Sequence, residues 1–168
     1  MQIRLVILDL DETMWKGRVY YMEPPFERPD SNTISDSNGC TIRIHPKTRE
    51  LLARLRKLEI ITGIASYNSR DKAEEAMRLF GILEFFPEPL RKIWLEKGRM
   101  KHLMIQEIIE EVKKADPTLK YSQVLYCDDE KGYFERVRET VSPKIHCLQA
   151  GVDLKMPYEI LSYLERTS

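Results

Sequence analysis

The 168-residue sequence predicts an α/β fold, a doubly wound parallel sheet with helices on both faces, carried by one domain spanning 1–168. Three observations predict it. Short runs rich in Ile, Leu and Val end in acidic or polar residues, as strands buried on both faces do. Stretches of helical periodicity alternate with those runs, which implies right-handed crossovers and three layers. The length, near the allowance of about 150 residues per domain, leaves room for one excursion and little more.

The first run, Ile3 to Leu8, is too short for a buried helix and stops at Asp9, so it reads as a central strand. Residues 15–45 carry Pro24, Pro25 and Pro29, with Pro46 just beyond, and two clusters of Asp, Ser and Asn. That composition predicts turns and short extended pieces without a second core. From Pro46 a helix is expected with Leu51, Leu52, Leu55 and Leu58 on its buried face. Ile60 to Ala65 is a second strand. A helix from about Ser69 follows, with Ala73, Ala76, Met77 and Phe80 inward and Gly81 as its stop.

Lys92-Ile93-Trp94 is a weaker candidate strand. Met100 to Val112 reads as a helix through Leu103, Met104, Ile108 and Val112, ended by Asp116-Pro117. Val124 to Cys127 is a buried strand running into Asp128-Asp129. Gly132 to Thr140 is a helix, Ile145 to Leu148 a last strand, and Pro157 opens a closing helix with Ile160, Leu161 and Leu164 inward.

Lys and Arg number 27, as do Asp and Glu, so the formal net charge is zero although 32% of residues are charged. Zero net charge removes any global attraction to nucleic acid or to an acidic membrane surface. The chain shows no apolar stretch approaching the roughly 18 residues a membrane helix needs. A cytoplasmic protein without nucleic-acid or membrane partners is expected. Cys40, Cys127 and Cys147 are widely spaced, fit no disulfide framework, and read as reduced thiols. His45, His102 and His146 have no metal-ligand spacing and read as structural or surface residues.

In a doubly wound sheet, ligands bind outside the carboxyl ends of the strands where the strand order reverses. At the expected strand ends stand Asp9 and Asp11, then Ser66 and Asn68, then Asp128 and Asp129. Carboxylates gathered this closely repel one another unless a hard cation such as Mg²⁺ takes their oxygens. A metal-dependent site at that edge is the expectation. Ser66 either binds a ligand or serves as an early helix N-cap.

The segment Val6-Ile7-Leu8-Asp9-Leu10-Asp11-Glu12-Thr13 resembles the DxDx(T/V) signature of the haloacid dehalogenase superfamily. Ser66, Lys101 and Asp128-Asp129 follow in the order of its other three motifs, over nearly the whole chain. The likeness is strongest to the capless magnesium-dependent phosphatases of acid phosphatase type. It runs through Asp11 to Trp15, Glu23-Pro24-Pro25-Phe26, Ile64-Ala65-Ser66 and Cys127-Asp128-Asp129-Glu130.

That resemblance implies a Rossmann-like core with a small flap in place of a cap. It implies Asp9 as nucleophile forming an aspartyl-phosphate, Asp11 as acid and then base, and Mg²⁺ held by Asp9, the Asp11 backbone carbonyl and Asp129. Asp128 would orient the groups around the metal. Thr13, Ser66, Tyr67 and a lysine would bind the phosphoryl group. Lys101 is the preferred lysine, followed at four and seven residues by Ile105 and Ile108, with Lys97 and Lys92 as alternatives. Glu12 departs from the Gly common there, and Tyr133 stands where Asn or Asp is frequent.

The implied substrates are phosphomonoesters, either a phosphorylated small molecule such as a sugar phosphate or a phosphotyrosyl protein. The aromatic residues Trp15, Tyr20, Tyr21 and Phe26 either stack on a substrate ring or pack the flap down. Two alternatives remain open: a phosphotransferase on the same fold, and a signalling module that only accepts a phosphoryl group.

Overall fold

A computed structural model describes residues 2–167. In chain order its strands are β1 (Leu5–Leu8), β2 (Trp15–Lys16), β3 (Glu27–Asp30), β4 (Thr33–Ser35), β5 (Thr41–Ile44), β6 (Ile61–Tyr67), β7 (Arg91–Trp94), β8 (Val124–Asp128) and β9 (His146–Gln149). The helices are α1 (Thr48–Lys57), α2 (Arg70–Leu79), α3 (Lys101–Ala115), α4 (Gly132–Thr140) and α5 (Ile160–Thr167). The main sheet is parallel throughout, in the order β7-β6-β1-β8-β9. The doubly wound α/β expectation holds.

The two faces of β1 show why. Val6 and Leu8 pack into one apolar cluster with Leu51 and Leu55 of α1, Met77 of α2 and Ile160 of α5. Leu5 and Ile7 pack into the other, with Met104 and Ile108 of α3 and Val137 of α4. All four residues of β1 are fully buried, each contributing roughly 1.5–3 kcal/mol to the core. Gly63 interrupts the β6 run because α3 passes so close that a Cβ there would meet the Ile108 side chain at 3.1 Å and the Leu90 carbonyl at 3.2 Å. Gly81, at φ +70°, ends α2 in the left-handed conformation.

Residues 15–44 form more than loose extended pieces. They pair antiparallel into a four-stranded sheet, β2-β5-β4-β3. It has no core of its own: Trp15, Val19, Met22, Ile34, Ile42 and Ile44 bury against the same cluster as Leu51 and Phe80. Two expectations fail in detail. Leu58 lies past the end of α1 as its C-cap and is 51% exposed. Leu103 is exposed: the inward stripe of α3 runs Lys101, Met104, Ile105, Ile108, Ile109, Val112, which keeps the expected Met104, Ile108 and Val112 and leaves Leu103 outside it. His146 is structural, its ring bonded to the Tyr163 hydroxyl at 2.6 Å and the Ser122 carbonyl at 3.1 Å.

Candidate active site

The chain runs from β1 outward to β6 and β7, then returns to β8 on the other side of β1, so the strand order reverses between β1 and β8. Register places Leu8 level with Ile64 of β6 and Cys127 of β8, and the Asp9 amide donates to the Cys127 carbonyl at 3.0 Å. Asp9, Ser66 and Asp128 therefore emerge at one level, at the switch point. They line one cleft of about 170 Å³ together with Asp11, Lys101 and Asp129.

Lys101 ties this group together. Its ammonium donates to Asp9 Oδ1, to Asp128 Oδ2 and to the Ala65 carbonyl, each at 2.8 Å, and the residue is only 2% exposed. Burial alone would lower its pKa, but the flanking Asp9 and Asp128 carboxylates outweigh that and push it up, so the cation is permanent. The first turn of α3 delivers it because residue 101 falls on the buried stripe, with Met104, Ile105 and Ile108 beneath. Lys92 instead pairs with Glu107 at 3.5 Å, and Lys97 lies over the Trp94 ring at 4.1 Å; neither reaches the cleft.

Asp128 is nearly saturated. Its Oδ2 also accepts from the Tyr126 hydroxyl and its Oδ1 accepts from the Glu130 amide at 2.9 Å. Asp129 is only half-buried and lies beside Asp9, with an oxygen of each of Asp9, Asp128 and Asp129 within 4.8 Å of the others. Burial, then the neighbouring Asp128 charge, pushes Asp129 up to about 6. Burial likewise raises Asp9, with Asp128 and Asp129 adding to it and Lys101 opposing it. One lysine against three converging carboxylates leaves negative charge unmet, and an oxygen-seeking divalent cation fits that deficit. Ser66 offers the opposite kind of group: its hydroxyl is buried with no hydrogen-bond partner among the described residues.

Asp11 is held through both carboxylate oxygens. Trp15 Nε1 donates to Oδ1 at 2.8 Å and the Val19 amide at 2.9 Å, while Asn68 Nδ2 donates to Oδ2 at 3.0 Å and the Tyr20 amide at 3.3 Å. Burial raises its pKa despite these four donors.

The acid phosphatase family matches residues 2–161. The chain belongs to that family. Among curated proteins it is 27% identical over 154 residues to magnesium-dependent phosphatase 1 of Homo sapiens, covering 90% of this chain and 81% of the relative. Two solved structures share the fold, each with a TM-score of 0.63 over 98% of this chain. A putative phosphatase from Clostridium difficile is 16% identical and covered over 92% of its length. The N-terminal part of BF1531 from Bacteroides fragilis, containing a phosphatase domain complexed with Mg, is 19% identical; this chain spans 39% of it.

One expected site residue lies elsewhere. Thr13 was expected to bind the phosphoryl group, but it does not line the cleft. A tight turn, with the Thr13 and Met14 amides donating to the Leu10 carbonyl at 3.0 and 2.8 Å, folds it beneath Asp9, where its hydroxyl donates to Asp9 Oδ2 at 3.3 Å. Tyr67 does line the cleft, stacked on Tyr20 at 6.0 Å and 24°. Glu12 occupies the left-handed conformation at φ 60°, where Gly would sit without strain, and its Oε1 accepts from the Gly17 amide at 2.8 Å. Tyr133, the other departure, lines the cleft with its ring 5.3 Å from Lys101 Nζ.

The site also holds residues that sequence reasoning passed over. Tyr126 stands two residues before Asp128 on the same face of a buried strand, and period-two spacing could have flagged it. Trp15 was read only as a flap aromatic; its indole N–H is a partner of Asp11. Arg18 and Arg99 lie on connections, where periodicity carries no signal.

Proposed function

We propose that this phosphatase hydrolyses phosphomonoesters through a covalent aspartyl-phosphate on Asp9 and depends on Mg²⁺. The observation that carries the reading is the convergence on Asp9 of a buried lysine, a half-buried second carboxylate and an unpartnered buried hydroxyl. Asp9, Asp129 and the Asp11 backbone carbonyl would hold the metal. When bound, it supplies charge neutralisation for the phosphoryl oxygens and orients them for in-line attack.

The chain's own groups divide the remaining work. Lys101 draws charge from the Asp9 carboxylate and, with the Ser66 hydroxyl, holds the transferred group. An Asp9 oxygen forms a bond to phosphorus as the ester P–O bond breaks, and Asp11 delivers a proton to the leaving oxygen. Asp11 then removes a proton from the water that attacks phosphorus, breaking the Asp9–phosphorus bond and releasing inorganic phosphate. To carry that proton, Asp11 must release one of its four donors, because a carboxyl accepting through every site has none free to donate. Its raised pKa favours the protonated form. The Asp11 side chain, two residues after Asp9, sets this reading above a phosphoacceptor module, which needs no such acid and base.

The expected result is release of phosphate from para-nitrophenyl phosphate with added Mg²⁺, abolished by EDTA and restored by excess Mg²⁺. Activity that survives complete chelation would remove the metal from the account. Protons and the cation compete for Asp129. Because its carboxyl is raised to about 6, and Asp9 is raised as well, Mg²⁺ affinity weakens as pH falls through that value. Calorimetric titration between about pH 5 and pH 8 checks this; an affinity flat across the range would contradict it.

A further inference from the structure

We infer that Arg18 and Arg99 select substrates that carry a second anionic group, a carboxylate or another phosphate, close to the phosphomonoester; this rests on the phosphatase reading above. Both residues line the cleft that holds Asp9, and both are exposed. The phosphoryl end already has its own recognition groups in Lys101, Ser66 and the cation that the carboxylates would hold. The two guanidiniums are surplus to that end.

Arg18 belongs to the excursion, just before the Val19 and Tyr20 amides that hold Asp11. Its guanidinium makes no ion pair or hydrogen bond among the described residues. Arg99 comes from the connection between β7 and α3. Its partners are Glu130 at 3.6 Å, part-exposed, the Tyr133 hydroxyl and the Tyr67 ring at 5.3 Å, and all three lie at the rim of the cleft. An exposed pair at that distance costs little to exchange for a ligand.

The aromatic residues nearby are engaged with one another. Tyr20 stacks on Tyr67 and meets Tyr21 edge-on at 5.0 Å, while Arg99 covers Tyr67. Trp15 is fully buried against Phe80 and Phe26 packs on the same cluster. The Tyr20–Tyr67 contact joins the small sheet to the end of β6 and brings the two arginines to one cleft. Beside the exposed Tyr21 ring, this rim offers a ligand two planar guanidinium forks, matched to the paired oxygens of carboxylate or phosphate.

The test compares kcat/KM of the intact protein on glycerol phosphate, on phosphoglycerate, which has a carboxylate in place of a hydroxymethyl group, and on glycerol bisphosphate. The expected result is a preference of about tenfold or more for one or both doubly anionic substrates, lost in Arg18→Ala and in Arg99→Ala and partly kept in Arg18→Lys. Which substrate is preferred distinguishes a carboxylate from a second phosphate. The loss should lie in KM and weaken in the wild type as salt is raised. No preference in the wild type overturns the inference, as does a preference that survives both alanine substitutions. If both variants lose all three substrates equally, the arginines serve the phosphoryl group and the inference also falls. A wild type inert even toward para-nitrophenyl phosphate would instead overturn the phosphatase reading itself.

Discussion

Asp9→Asn gives a folded protein whose phosphate release falls by at least about 10³-fold, because an amide is no nucleophile toward phosphorus. The fold survives for a local reason. The amide oxygen still accepts from Lys101, the amide nitrogen faces the Thr13 hydroxyl, and Lys101 keeps Asp128 and the Ala65 carbonyl. One negative charge also leaves a cluster with more than its lysine can balance, so the metal-free variant is at least as stable as the wild type. Steady-state assay with circular dichroism melting checks both halves. Loss of the fold along with activity would show that Asp9 is chiefly structural.

Lys101→Met removes activity for a different reason and does unfold the protein in part. Lys101 and Asp128 are almost wholly buried, and Asp9 nearly so, so deleting the cation leaves two carboxylates facing each other without water. Removing one partner of a buried pair costs about 3–5 kcal/mol, a large part of the 5–15 kcal/mol that holds a domain together. A fall in melting temperature of roughly 10 °C is expected at neutral pH. The sign with pH follows from the carboxylates. Without the cation the Asp9 carboxyl, already raised by burial, rises further, so the destabilisation is present above the ordinary carboxylate range and fades as acid protonates it. Lys97→Met serves as control: its ion pair with Glu107, at 3.9 Å, and its contact with the Trp94 ring are at the surface, and the change is worth about 1 kcal/mol or less. Urea melts at neutral and mildly acidic pH decide the matter. A Lys101→Met protein as stable as Lys97→Met would contradict the buried pairing.

The central sheet and its acids were legible because one local rule produces both. A run such as Leu5 to Leu8 buries on two faces only in a parallel sheet, and a parallel sheet presents its strand ends, hence Asp9 and Asp128, on one edge. Lys101 stood out through the resemblance, by the spacing of Ile105 and Ile108 after it, and the buried stripe of α3 carries it into the cleft. Met104, Ile108 and Val112 lie on that stripe as expected, and Leu103 alone does not, because it stands about 100° around the helix from Met104. The small sheet resisted for another reason. Glu27-Arg28-Pro29-Asp30 is exposed along its whole length, so no alternation marks it as β3, and its pairing with β4 is a tertiary fact. Thr13 was misplaced because a motif records residue type, whereas the turn at Leu10 decides which side of Asp9 the hydroxyl reaches. The rim arginines had no period to betray them.

The direct measurement of the central claim is intact-mass and peptide mapping of the wild-type protein quenched in acid during turnover of para-nitrophenyl phosphate with Mg²⁺. The account predicts one added phosphoryl group on the peptide carrying Asp9, labile to hydroxylamine as an acyl phosphate is, and absent from Asp9→Asn. A phosphoryl group on another residue, or sustained turnover by Asp9→Asn, would contradict it.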